Sequence, residues 1–416
     1  MNKVKKIVPE LRFPEFVNDG EWQYLNGDEL FKPISNRDHN SDLPILAISQ
    51  EHGAIPRELI DYTVIATKES IKSYKVVEKG DFIISLRSFQ GGIEYSNYKG
   101  ICSPAYIILR KKKKLEDIFF KYYFKTDLYI RHLNKNLEGI RDGKMVSYKQ
   151  FSEILLPYPS IKEQKKIASY ISTINELIDS HKEKLEALKS HKSGLMQNLF
   201  SQKGRTVPNY RFPKFKDKAD WESIYFNKAF KRVTRKNTEN NQNILTISAH
   251  QGLINQEEYF NKKIASRDVT NYYLIHKDEF AYNKSYSKDY PVGAIKKLAK
   301  YDVGVVSTLY ICFKCQHGFN HEYFEHFFES GVFNEQLDKI AQEGARDHGL
   351  LNVSVNDFFD TLVVKVPPSK DEEQEIASCF SVLNNLISAQ EAKLSQLEIY
   401  KKGIIQALFP ALIDKI

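Results

Sequence analysis

The chain has 416 residues, 42% of them apolar, and a formal net charge of +8, which suits a globular protein of two to four domains. No 18-residue apolar run occurs and the opening MNKVKKIVPELRFP has no apolar core, so neither a membrane span nor a signal peptide is expected. The four cysteines, of which only Cys312 and Cys315 form a CxxC, make no disulfide framework and suit a reducing cytoplasm; the mild basic excess favours an acidic polymer as partner without requiring one.

In chain order, PELRFPEF (Pro9 to Phe16) and Trp22 come first. ILAIS, DFIISL and AYIIL, starting at Ile45, Asp81 and Ala105, are short Ile- and Tyr-rich runs bounded by Gly and Pro, and they read as strands. Phe119 to Leu137 carries a helical period and is expected to pack on the sheet. A proline-marked exit, LPYP (Leu156 to Pro159), precedes a long helix over Gln164 to Phe200. Its apolar seam alternates Ile167, Ile171, Ile174, Ile178, Leu185, Leu188, Leu195 and Leu199, interrupted at His181 and Lys192. The 3-4 spacing is that of a coiled coil.

After a linker, SQKGRTVPN, the same order returns. PNYRFPKF (Pro208 to Phe215) and Trp221 stand 199 residues on, and ILTISAHQGLI (Ile244 to Ile254) matches ILAISQEHGAI. EGIRD (Glu138 to Asp142) matches EGARD (Glu343 to Asp347), and the second long helix repeats the seam at an offset of 209. That seam is Ile376, Phe380, Leu383, Ile387, Leu394, Leu397, Ile404 and Leu408, with polar breaks at Gln390 and Lys401. The drift from 199 to 209 implies about ten residues inserted in loops of the second copy. Two bare stripes in one chain bury most simply against each other, antiparallel. A register opposing His181 to Lys401 and Lys192 to Gln390 also opposes Ile178 to Ile404, Leu185 to Leu397, Leu188 to Leu394, Leu195 to Ile387 and Leu199 to Leu383. A helix of about 37 residues spans roughly 55 Å, room for two modules about one turn of DNA apart.

Taken in order and duplicated, these motifs resemble the specificity (S) subunit of type I restriction–modification enzymes. They are P-x-L-R-F-P-x-F with its Trp, the IKEQKKIA and DEEQEIA helix starts, and the GLMQNLF and GIIQALF helix ends. The second copy departs at Tyr210, where the first has Leu11. The resemblance implies an α+β fold: two pseudo-two-fold related α+β target-recognition domains joined by two long antiparallel coiled-coil helices. The expected divisions are 1–160 and 204–369 for the recognition domains, 161–203 and 370–416 for the spacer helices. It also implies a non-catalytic, cytoplasmic subunit that reads an asymmetric bipartite site on double-stranded DNA. Two modification subunits bring S-adenosylmethionine-dependent methylation, two restriction subunits bring ATP- and Mg-dependent translocation and cleavage, and no cofactor is held in this chain.

No GxxxxGK[ST] phosphate loop occurs, nor an amino-methyltransferase Asn/Asp-Pro-Pro-aromatic motif. Cys312 and Cys315 lack a second pair for zinc. DNA contact is expected at two loop pairs. LRSFQGG (Leu86 to Gly92) offers Arg87, Ser88, Phe89 and Gln90, and its counterpart offers Asn283, Lys284, Ser285, Tyr286 and Lys288. Arg can take guanine bidentately, and Gln can take adenine. The second pair offers Ser49 and Gln50 in one copy, Ser248 and His250 in the other. The plainer reading is that these are surface loops that drifted. Arg110 to Lys114 (RKKKK) reads as a solvated strand end more readily than as a phosphate clamp, and Arg141 and Arg346 as partners of Asp142 and Asp347. Trp22 and Trp221 read as core anchors. The competing functions are a standalone nuclease or methyltransferase and a coiled-coil scaffold that never touches nucleic acid.

Overall fold

The computed structural model describes residues 8–40, 42–60, 68–135, 146–248, 252–260, 268–287, 290–341 and 351–410. The chain forms two compact units, Met1–Lys182 with Ala392–Ile416, and Glu183–Glu391. Each of the two long helices, Ile161–Asn198 and Lys370–Leu408, therefore contributes one half to each unit.

Unit 1 is built on a four-stranded antiparallel sheet in the order Phe31–Ile34, Ile107–Lys111, Phe82–Ile84, Glu94–Tyr95. Three two-stranded ladders surround it: Gln23–Asn26 with Leu155–Tyr158, Leu46–Ser49 with Gly53–Pro56, and Lys75–Val77 with Gly100–Cys102. Unit 2 repeats the plan strand for strand. Its sheet runs Phe230–Val233, Ile311–Cys315, Phe280–Asn283, Ala294–Lys297. Its ladders are Glu222–Tyr225 with Val363–Val366, Leu245–Ser248 with Gly252–Asn255, and Tyr273–His276 with Val303–Val306. The runs read as strands all lie in these ladders. Their Ile, Val, Phe and Tyr residues suit a pleated surface covered on one face.

The stretch read as one helix over Phe119 to Leu137 is broken. It forms Asp117–Tyr123 and Asp127–Lys135, because the Thr126 hydroxyl accepts the Tyr129 amide at 3.1 Å and starts a new helix. In unit 2, His321–Glu329 and Asn334–Ile340 are separated at Gly331, whose φ is +78°.

Each unit closes its core with the heptad stripe. In unit 1, Trp22, Phe31, Phe119, Phe124 and Phe151 pack with Ile167, Ile171, Leu408 and Phe409. In unit 2, Trp221, Phe226, Phe230 and Phe313 pack with Leu199, Phe200, Ile376 and Phe380. Within unit 2 the halves run antiparallel: Phe200 stacks on Phe380 with ring centroids 5.7 Å apart, and Lys189 pairs with Glu391 at 3.0 Å. Both contacts fall two positions from the expected register. In unit 1, Lys401 lies in electrostatic range of Asp179 and Lys182, the neighbourhood of His181. Tyr170, however, bonds Tyr400 at 2.8 Å, twelve positions from the expected partner, so that register does not hold throughout. Lys192, expected to face Gln390, instead turns to Glu329 of the domain, 3.7 Å away.

Candidate nucleic-acid interface

In unit 1 the two expected loops are neighbours. The hairpin turn after Leu46–Ser49 is closed by the Ser49 hydroxyl, which accepts the amides of Glu51 and His52 at 3.2 and 3.3 Å. Its returning strand bridges Ala54 to Ser96, beyond the strand Glu94–Tyr95. The stretch read as a loop after Ile84 contains a short helix, Ser88–Gly91. Ser88 is buried, and its hydroxyl accepts the Ser85 amide at 2.8 Å. Phe89 is half-buried and packs on the unit 1 core. Arg87 and Gln90 remain exposed. Gln50 joins the two loops: its side-chain amide donates to the Arg87 carbonyl at 3.4 Å and lies over Gly91.

This short helix is held from behind. Asn134 donates to the Phe89 carbonyl at 2.8 Å, and Lys125 donates to the Gly91 carbonyl at 2.9 Å while pairing with buried Glu94. Gly92 ends it at φ +78°, where a Cβ would stand 2.0 Å from the Phe124 carbonyl oxygen; no other residue fits there.

Unit 2 presents the corresponding surface with other side chains. Ser248 is buried at the end of its strand, and His250 lies outside the described residues. The Asn283 side chain accepts the Ser285 amide at 3.1 Å and so shapes the loop. Lys284 is half-buried and its carbonyl accepts the Leu351 amide at 2.9 Å. Ser285 and Tyr286 are exposed, Tyr286 by 60%. Lys288 lies outside the described residues, as do Arg141, Asp142, Arg346 and Asp347.

The basic run is engaged within the protein. Arg110 forks Asp81 with two bonds of 2.7 Å, Lys111 pairs with Asp117 at 2.8 Å, Lys112 donates to the Asp28 carbonyl at 2.7 Å, and Lys113 approaches Glu29 at 3.9 Å. Burial pushes the Cys312 and Cys315 thiols up to about 12. Three positions apart on one strand, they point to opposite faces, and no group of three or more His, Cys, Asp or Glu among the described residues could hold a metal.

Sequence reasoning missed two ion pairs that seat the recognition units on the long helices. Arg12 forks Glu163 at 2.8 and 2.9 Å, and Arg211 forks Glu372 at 2.8 Å through both nitrogens. The Trp221 indole also donates to Glu372, at 3.1 Å. The signal was present: both copies place an Arg in RFP and a Glu in the first turn of the helix.

Residues 22–190 match the family described as the type I restriction modification DNA specificity domain. The chain is 27% identical over 199 residues to the putative type I restriction enzyme MjaX specificity subunit of Methanocaldococcus jannaschii, covering 46% of this chain and 45% of that protein. It is 28% identical over 127 residues to the MjaVIII specificity subunit of the same organism, covering 30% and 29% respectively. The chain thus spans less than half the length of the curated relatives it matches. In fold it is similar to the type I restriction–modification S subunit from M. genitalium, with a TM-score of 0.54 at 13% identity over 98% of this chain and 100% of that one. No helix among the described residues is long and apolar enough to cross a membrane.

Proposed function

Since the chain belongs to the type I restriction–modification specificity subunits, we propose that it is the cytoplasmic, non-catalytic DNA-reading subunit of such a complex and that each unit reads one half of a bipartite site. The observation that carries this reading is the same strand plan in both units with different exposed side chains after the equivalent sheet strand: Arg87 and Gln90, beside Gln50, in one, Ser285 and Tyr286 in the other. Arg and Gln present the bidentate donors and acceptors that distinguish guanine and adenine in the major groove, and Tyr286 offers a ring to a base or sugar. Ser88 and Ser248, being buried, shape these loops instead of touching DNA.

Catalysis belongs to partners in this reading. Two modification subunits bring S-adenosylmethionine, and two restriction subunits bring ATP and Mg. Exposed apolar side chains on the long helices, Leu177 and Ile399 in unit 1 and Val382 and Leu386 in unit 2, support protein docking there. The test is genome-wide methylation calling with and without the gene. A split adenine-methylated motif that disappears with the gene is expected. Methylation or cleavage of DNA by the purified chain alone overturns the reading.

A further inference from the structure

The two units share an ion pair with its sign reversed. In unit 1, Lys125, just after the helix Asp117–Tyr123, pairs with Glu94 of the sheet at 2.5 Å. In unit 2, Glu329, at the end of His321–Glu329, pairs with Lys296 of the corresponding strand at 3.3 Å. One turn earlier the helix residue again changes sign, but only unit 2 has an ion pair there: Glu325 pairs with Lys297 at 2.7 Å, whereas Lys121 stands over the Tyr95 ring at 5.7 Å.

The long helices do not follow the reversal. Lys192 and Lys401 are equivalent positions, 209 residues apart. Lys192 meets Glu329 at 3.7 Å. Glu329 is pushed down to about 2, because His326, Lys296 and Lys192 outweigh its burial. Lys401 faces the lysine side of the reversed pair, and among the described residues no carboxylate comes within ion-pair distance of it. Burial, with Lys182, lowers its affinity for a proton despite Asp179 and Glu398; burial, with Lys401 and Lys125, does the same to Lys121. The geometry differs accordingly. Beside Glu329 lies a cavity of about 220 Å³. Unit 1 has a cleft of about 1040 Å³ lined by Lys125, Arg131, Lys401, Lys402 and Gln90 and also by Glu398 and by Asp127, which approaches Lys402 at 3.9 Å.

We propose that this cleft is an anion site that takes a backbone phosphate of the DNA next to the reading loop, with Lys401 supplying there the charge that Glu329 neutralises on its equivalent, Lys192, in unit 2. The proposal rests on the DNA-reading function above. Gln90, on the reading loop, lines the same cleft, which favours a phosphate over an acidic protein segment. A phosphate contact positions the duplex without adding sequence information.

The test compares Lys401→Ala and Lys192→Ala in the full chain with its modification subunits. It measures binding of a duplex bearing the motif and of a scrambled duplex from 50 to 200 mM salt. Lys401→Ala is expected to weaken both duplexes alike, several-fold, and to reduce the slope of log affinity against log salt by about 0.9, one phosphate. Lys192→Ala should leave that slope unchanged, and the thermal midpoint of Lys401→Ala should not fall, since a desolvated cation is removed. An unchanged slope for Lys401→Ala, while Arg87→Ala still alters discrimination, overturns the phosphate site and leaves the reading function standing. An unchanged slope with loss of the modification subunits overturns it in favour of an acidic protein segment. A parent chain that cannot tell the motif from the scrambled duplex overturns both.

Discussion

Arg12 and Arg211 hold equivalent places, yet the donors around their carboxylates differ. Each guanidinium forks a carboxylate that is 1% exposed. Removing one partner of a buried pair leaves the other charge desolvated and unsatisfied, at about 3–5 kcal/mol. Glu372 keeps a second donor, the Trp221 indole, whereas the Trp22 nitrogen is buried without a hydrogen-bond partner among the described residues. Arg12→Ala is therefore expected to cost more than Arg211→Ala, both within that range. Urea unfolding checks this. Trp22 and Trp221 are the only tryptophans, so Trp22→Phe or Trp221→Phe backgrounds report each unit separately. Equal, small losses below about 1 kcal/mol would show these pairs to be as weak as surface bridges.

Among the elements, the long helices were the most legible, because a heptad stripe repeated at a fixed offset admits few other structures. The helix expected from Gln164 runs from Ile161 to Asn198. The loops were the least legible. LRSFQGG carries two glycines and reads as open loop, but Ser88 folds back on the Ser85 amide and closes a helical turn. RKKKK reads as a free charge run because Asp81 and Glu29, which take two of its charges, are distant in sequence, and nothing local marks Asp117, six residues on, as the partner of Lys111. The break at Thr126 went unseen since the apolar period continues across it. The miss at RKKKK comes mainly from polar pairing across the fold, which no local pattern records; those at Ser88 and Thr126 come from single hydroxyl–amide bonds three residues apart, which the apolar pattern does not register. Gly92 tests whether the short helix matters. Its φ of +78° and the Phe124 carbonyl both oppose a Cβ. Gly92→Ala is expected to cost about 1–3 kcal/mol in backbone strain, to force the Phe124 carbonyl aside at further cost, and to shift Arg87 and Gln90, degrading discrimination at the half-site read by unit 1. Duplex competition with single-base changes in each half measures it; unchanged discrimination in that half would detach these side chains from base reading.

For the molecule as a whole, the consequence of two self-contained cores is modular exchange. The unit 1 core closes on Ile167, Ile171, Leu408 and Phe409, and that of unit 2 on Leu199, Phe200, Ile376 and Phe380. Replacing the segment from Ser41 to Tyr158 with the same segment of a relative removes the unit 1 reading surface and leaves Arg12, Glu163 and all of unit 2 untouched. The donor must satisfy a few contacts with the helices. The Glu116 amide donates to Gln164 at 2.9 Å and needs only backbone. Tyr122 bonds Ser172 at 3.1 Å through its hydroxyl, and Phe119 packs on Phe409 with centroids 5.2 Å apart, so a tyrosine is required at the first position and an aromatic residue at the second. With these kept, methylation calling on cells carrying the chimera should show one half of the split motif replaced, the other half retained and the modified adenines still methylated. A change in both halves would mean that the units do not read independently. No change in either would place base reading outside the sheet-borne loops.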